Sequence, residues 1–221
     1  MSKKVHPFSH RLVTLRDWKS RWFAADKKFA DYLRADIFIR EFLLKKLRSA
    51  FVSVVEIERS RNGARVIIKT SRPGVIIGRQ GEGAKKLKED LLKAMRSNNI
   101  EAPEDLKIDI FEVKSPDADA KIVALSIAEA LEKRMPFRRV IKQTLDKVMA
   151  VREVKGVRIL LGGRLNGADM ARTEEVKKGS IPLQTFRADV DFARERATMS
   201  YGVIGIKVWI YKGEVFDKDK K

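Results

Sequence analysis

The chain has 221 residues, 44% of them apolar, and its 48 Lys plus Arg against 30 Asp plus Glu give a formal charge of +18. That apolar share excludes a wholly disordered chain, and the lack of cysteine excludes disulfides and thiolate zinc sites. With a pI near 10.1, the surplus points to a polyanionic partner, because each neutralised phosphate releases counterions. The surplus is not a tail: residues 1–112 carry 25 basic and 15 acidic residues, and residues 113–221 carry 23 and 15. Both halves are therefore expected to face the polyanion. The two histidines, His6 and His10, lack a third ligand, so neither a metal nor a cofactor is expected, and the pair is read as structural or RNA-facing. "MSKKVHPFSH" lacks a signal peptide's apolar core and no run approaches about 18 apolar residues, which predicts a cytoplasmic protein.

Residues 1–25 form a basic, aromatic extension in which Trp18 and Trp22, four apart, fit one helical face and are expected to anchor a core, with base stacking second. Residues 26–47 read as an amphipathic helix whose Phe29, Leu33, Ile37 and Phe38 recur at helical spacing. Such a basic helix also suits a membrane surface, but it leads directly into strands, which favours packing on a sheet. "FVSVVEIER" (51–59) and "ARVIIKT" (64–70) alternate as strands, Val52 and Val54 on one face of the first, around an Asn62-Gly63 turn. A glycine loop follows, then a helix over about 81–97 with Ala84, Leu87, Leu91 and Met95 inward, then a strand over 104–113. "KSPDADA" (114–120) marks a boundary, followed by helices over about 117–134 and 136–152 parted by Pro136. Residues 157–211 read as antiparallel strands, with Phe186, Ala188, Val190 and Phe192 alternating, and Ile204, Ile206, Val208 and Ile210 likewise. Residues 213–221 read as a charged tail.

The loop in "GVIIGRQGEGAKK" (74–86) has the look of a phosphate site. A nucleotide P-loop requires G-x-x-x-x-G-K-[ST]; Gly78 and Gly83 fit, but Ala84 stands where Lys belongs and Lys85 is followed by Lys86, not a hydroxyl for magnesium. Gly78, Gly81 and Gly83 also miss the dinucleotide spacing G-x-G-x-x-G. What remains is G-x-x-G, Gly78-Arg79-Gln80-Gly81, opening a helix that carries Lys85. Glycines admit a nucleic-acid backbone without a Cβ clash, and the N–H groups at the helix start favour phosphate. Alone the motif is weak, and an ordinary glycine turn is the bland alternative. Placed in the order helix, strand, strand, loop, helix, strand, it reads as the K-homology (KH) clamp for single-stranded nucleic acid, in its type II arrangement αββααβ.

The whole chain resembles the bacterial small-subunit ribosomal protein S-three family. The resemblance rests on "KVHP" (4–7), "RDWKSRWFA" (16–24), "VIIGRQGEGAKKL" (75–87), "MPFRRVIKQ" (135–143), "GGRLNGADMARTE" (162–174), "LQTFRADVDF" (183–192) and "YGVIGIKVWIYKGE" (201–214). It implies a non-enzymatic component of the small-subunit head that binds ribosomal RNA and faces messenger RNA where it enters the ribosome. It implies as neighbours the head proteins S-ten and S-fourteen. It also implies that Arg138, Arg139 and Lys142 help unwind structured messenger. On a helix from residue 136, with Phe137, Ile141, Leu145 and Val148 inward, those three cations fall in a sector of about 100°. The competing reading is a solvated face with a Lys142–Asp146 helical pair. Arg164 and Arg172 are ribosomal-RNA candidates, together with Lys3, Lys4 and Arg11. The chain departs from the family's pattern at Gln80, neutral where the family often has Lys or Arg, and at "FSH" (8–10).

The expected architecture is α+β: an N-terminal extension (1–25), a type II KH domain (26–115), a domain of two helices on an antiparallel sheet (116–212) and the tail (213–221). The alternatives are a free KH regulator, which leaves the basic C-terminal half unexplained, a P-loop NTPase, opposed by Ala84 and Lys86, and a nuclease, for which no carboxylate or histidine cluster is seen.

Overall fold

The computed structural model describes residues 5–60, 63–101, 103 and 105–216, so Lys3, Lys4 and Asn62 of the expected sites and turn lie outside the described residues. Two compact units are present: Trp18–Lys114 forms one, and the chain up to Asp17 joins Ser115 onward in the other.

In the first unit, β1 (Ser20–Arg21), β2 (Val52–Arg59), β3 (Gly63–Thr70) and β4 (Asp105–Glu112) form a sheet in the order β1-β2-β3-β4. β2 and β3 pair antiparallel, as a short turn dictates, whereas β3 and β4 pair parallel and so need a crossover. α3 (Pro73–Ile77) and α4 (Glu82–Ser97) supply it. With α2 (Asp26–Lys46) ahead of β2, the order is αββααβ, the type II KH fold.

Both long helices lack interior proline, and α2 ends on Lys45 and Lys46, which suit the negative end of its dipole. α4 buries Leu87, Leu91 and Met95, as its spacing predicts. α2 does not bury the stripe that its sequence advertises: Phe29, Leu33 and Ile37 are 49%, 43% and 47% exposed. The face against the sheet is Ala35, Ile39, Leu43 and Leu47, one small residue and three aliphatics that join Val52, Val55 and Ile57 of β2. A helix with two apolar stripes is ambiguous by period alone. Here the inward choice is fixed by Asp36, beside Ala35, whose buried carboxylate accepts from Ser20 Oγ (2.9 Å), Trp22 Nε1 (2.7 Å) and Arg59 Nε and Nη2 (2.9 and 2.7 Å). Trp22 is thereby a core anchor, against Phe29 and Tyr32, but the two tryptophans share no helix: Trp18 is 56% exposed and the chain is extended at Ser20–Arg21. A bulge between Val52 and Val54 likewise breaks the simple alternation, so Val52, Val55 and Ile57 point inward and Val54 does not.

In the second unit, α5 (Ala120–Glu132) and α6 (Phe137–Met149) pack on an antiparallel sheet of β5 (Gly156–Gly163), β6 (Arg172–Gly179), β7 (Ala188–Met199) and β8 (Gly202–Glu214). The strand order is β6-β5-β8-β7, which leaves β6 and β7 as edges. Asp119 caps α5 by accepting from the N–H groups of Lys121 (2.9 Å) and Ile122 (3.1 Å). Ile204, Ile206, Val208 and Ile210 all face the helices, as their alternation predicts. Phe186 falls outside β7 and is 57% exposed, whereas Ala188, Val190 and Phe192 alternate onto the opposite face as predicted, the bulge here leaving Lys212 of β8 as the extra residue. There Ala188, Val190, Trp209 and Tyr211 make a second, smaller core with Ile181, Leu183 and Phe192.

The N-terminal segment belongs to this second unit. α1 (Pro7–His10) lies against β7, with His6 edge-on to Phe192 and His10 stacked on Phe186. Both histidines thus make ring contacts within this unit, His6 while remaining exposed. Arg11 is wholly buried: its Nε donates to the Ala188 carbonyl (2.6 Å), Nη1 to Pro7 (3.1 Å), and Nη2 to Leu183 and Thr185 (both 3.0 Å) and to Pro182 (3.3 Å). Burial lowers its pKa from the ordinary guanidinium value, the Asp189 carboxylate opposes that, and Arg16 adds to it. A guanidinium wholly buried among five carbonyls is out of reach of phosphate, so Arg11 is corrected from an RNA contact to a pin between α1 and the 182–188 loop. Arg11→Met is expected to destabilise this unit by about 2–4 kcal/mol, because carbonyls lose their donors in a buried site. The check is urea denaturation, and loss below 0.5 kcal/mol (about the surface background) removes the pin.

Candidate nucleic-acid interface

The G-x-x-G loop is built from two helix ends. α3 stops because Gly78 turns to φ +68°, its N–H reaching the Gly74 carbonyl at 3.0 Å. Arg79–Gly81 make one tight turn with Gln80 at φ +53° and Gly81 at φ +80°, and α4 starts at Glu82. Gly78, Arg79, Gln80 and Lys85 are all exposed. Space is open around Gly81, where a backbone partner would approach. At Gly83 the need is for packing, because a Cβ there would meet the Ile76 carbonyl oxygen at 2.6 Å and that of Ile77 at 2.9 Å. Gly83, just after the G-x-x-G motif, thus lets α4 touch α3. Gly83→Ala is expected to cost about 1–3 kcal/mol of stability and to loosen the loop. A thermal melt of the variant checks this, and an unchanged midpoint contradicts the close approach.

The loop's charge is mixed. Arg79 and Lys85 favour phosphate, while Glu82, exposed in the first turn of α4, competes for the same helix end. Farther along α4, the Asp90 carboxyl is held below its usual pKa first by a hydrogen bond from Lys46, against desolvation, with the charges of Lys46, Lys86 and Lys93 helping. Val75 and Ile77 are 61% and 39% exposed beside the loop, and only Ile76 of that run enters the core. A short helix with one face inward leaves the other two of these apolar residues outside.

The second cationic group lies on α6. Phe137, Ile141, Leu145 and Val148 are buried, which leaves Arg138, Arg139 and Lys142 on the exposed side. Asp146 does not pair with Lys142 along the helix; its carboxylate lies 3.2 Å from Lys178 Nζ on β6. Among the described residues no ion pair is made by Arg139 or Lys142. Arg138 Nη2 lies 3.6 Å from Glu174 Oε1, and Arg172 Nη2 lies 3.3 Å from that same oxygen. Both guanidiniums also sit near the Phe137 ring, at 5.7 and 5.9 Å from its centroid. Arg172, placed by sequence in a separate segment, is therefore a neighbour of Arg138. Glu174 was missed, and no local pattern marks it, since it comes from β6 and its partner from α6.

Arg164 is only half available. Its Nε donates to the Ala168 carbonyl at 2.9 Å and its Nη2 lies 3.4 Å from Asp169, so it braces the turn over Leu165–Gly167. Its side chain is 42% exposed, enough to present one edge outward. Among the described residues, no cluster of His, Cys, Asp and Glu suited to a metal is found, and no helix is long and apolar enough to cross a membrane.

Residues 38–118 match the family model described as KH domain, and residues 127–210 match that described as Ribosomal protein S3, C-terminal domain. The Small ribosomal subunit protein uS3 of Xanthomonas euvesicatoria is 46% identical over 217 residues, spanning 98% of this chain and 86% of that protein. The protein of the same name from Hydrogenovibrio crunogenus is 45% identical, with 99% and 92% covered, and that of Clostridium novyi is 44% identical, with 100% and 96% covered. The chain belongs to the uS3 family of small ribosomal subunit proteins. As a uS3-family chain it is a ribosomal protein and not an enzyme, and its N-terminal unit carries the RNA-binding KH fold.

Proposed function

We propose that this chain is a structural constituent of the small-subunit head, that it binds ribosomal RNA, and that it grips messenger RNA where the messenger enters. The observation that carries the messenger assignment is that, among the described residues, Arg139 and Lys142 make no ion pair and lie beside Arg138 on one exposed face of α6. Three cations on a rigid helix hold phosphates of separated strands and so disfavour their re-pairing. No nucleotide hydrolysis by this chain is involved; the energy comes from the movement of messenger through the ribosome. The KH loop, with Gly78, Arg79, Gln80, Gly81 and Lys85, takes a second stretch of single-stranded RNA, its grip limited by neutral Gln80 and by Glu82. Val75 and Ile77 offer apolar contact for bases next to that backbone. Arg164, Lys3 and Lys4 are assigned to ribosomal RNA. Neighbouring head proteins, S-ten and S-fourteen by resemblance, complete the set of partners.

Sedimentation of the tagged chain from lysate, in magnesium and then after a high-salt wash, tests this reading. Retention with the small subunit through the wash is the expected result. Release into the free fraction, with RNA bound only at low salt, contradicts an integral component and favours a free KH regulator.

A further inference from the structure

The cationic face of α6 does not end at the helix. β6 is an edge strand, and its residues Arg172, Glu174, Val176 and Lys178 alternate onto the side that meets α6, Val176 packing on the core there. Two ion pairs cross from strand to helix, Glu174 to Arg138 and Lys178 to Asp146. From Arg138 to Asp146 is eight helical steps, about 12 Å, and from Glu174 to Lys178 is four strand steps, about 13 Å. The two elements therefore run side by side in the same sense as rails of one strip, with Lys142 on the helix between the two pairs. One oxygen of Glu174 already lies between two guanidiniums, 3.3 Å from Arg172 and 3.6 Å from Arg138. That arrangement is a seat for an anionic oxygen, occupied by the protein's own carboxylate. The pairs are exposed enough for exchange, with the Arg172 and Arg138 side chains 50% and 72% exposed and Lys178 and Asp146 54% and 70% exposed.

We infer that Arg172 and Lys178 are messenger-phosphate ligands continuous with Arg138, Arg139 and Lys142, and that Glu174 is a stand-in for phosphate which the messenger displaces. This rests on the reading of α6 as a messenger-binding face. It moves Arg172 from ribosomal RNA to messenger and adds two residues of β6 that sequence did not single out. The strip takes one single strand lengthwise, phosphates toward the cations, without base readout.

The test is a salt titration of the full chain binding a labelled oligouridylate, followed by anisotropy. Each phosphate contact in a single strand contributes about 0.7 to the slope of log affinity against log salt. Arg172→Ala and Lys178→Ala are each expected to lower the slope by about that amount, with unchanged melting midpoints. Glu174→Gln is expected to tighten binding several-fold, and the gain is expected to vanish when Arg138 and Arg172 are both alanine. If the Arg138, Arg139 and Lys142 triple alanine variant keeps the full slope, the α6 reading itself fails and the strip with it. If the triple loses slope while Arg172→Ala, Lys178→Ala and Glu174→Gln match the parent, only the extension onto β6 is overturned. A photo-crosslinker at residue 172 in assembled subunits distinguishes the two RNA sources: messenger adducts are expected, and adducts solely to ribosomal RNA overturn the reassignment.

Discussion

Replacing Arg138, Arg139 and Lys142 together by alanine is expected to slow translation through a stable messenger hairpin roughly three- to tenfold, about 0.6–1.4 kcal/mol in barrier. The same variant is expected to read unstructured messenger at the parental rate. The asymmetry follows from the geometry. Three side chains on the outer face of α6 lie apart from the buried stripe of Phe137, Ile141, Leu145 and Val148, so their loss leaves the fold intact. On the proposed function, what is lost is the hold on separated strands, which matters only where strands would otherwise re-pair. Ribosome profiling or single-turnover elongation on paired templates with and without a hairpin measures it. Equal slowing on both templates would indicate an assembly defect, and equal speed on both would remove the unwinding role.

The largest stability effect is expected at Asp36. Its carboxylate is fully buried, and Arg59, 6% exposed, donates to it twice while Ser20 and Trp22 donate to its other oxygen. Asp36→Ala strands the Arg59 charge and two further donors, a loss of about 3–5 kcal/mol for the KH unit. The Arg59 guanidinium also lies over the Tyr32 ring, 4.8 Å from its centroid, which keeps it in place and prevents escape to water. Replacing both partners by leucine is expected to recover part of the loss, since two apolar groups leave no charge unpaired. Urea denaturation of the parent and the two variants decides the matter. A cost below about 1 kcal/mol for Asp36→Ala, the range of exposed pairs, contradicts a buried pair.

Much of the fold was legible in sequence because local pattern and packing agreed. α4 has one apolar stripe and buries it. α6 has a narrow stripe with cations beside it, and the structure leaves those cations outside. β8 alternates cleanly and packs as it alternates. The errors came where the pattern had two solutions or where the deciding contact was distant. α2 carries two apolar stripes, and its inward face is chosen by Asp36, whose donors come from residues 20, 22 and 59. The bulge between Val52 and Val54 shifts a period of two by one residue, and nothing local announces it. Arg11 reads as one more cation in a basic terminus; only the distant carbonyls of the 182–188 loop reveal it as a pin. The candidate site divides in the same way. The glycine loop is a local motif and could be placed from sequence, whereas the grouping of Arg138, Arg172 and Glu174 needs the sheet.

The proposal that α6 presents a messenger-binding face is tested most directly by crosslinking. A benzophenone side chain placed at residue 142, in small subunits programmed with a labelled messenger, is irradiated and the adducts are mapped. A messenger-facing helix predicts adducts to messenger nucleotides on the downstream, still unread side, lost when messenger is omitted. Adducts confined to ribosomal RNA or to a neighbouring protein, unchanged by messenger, would contradict it.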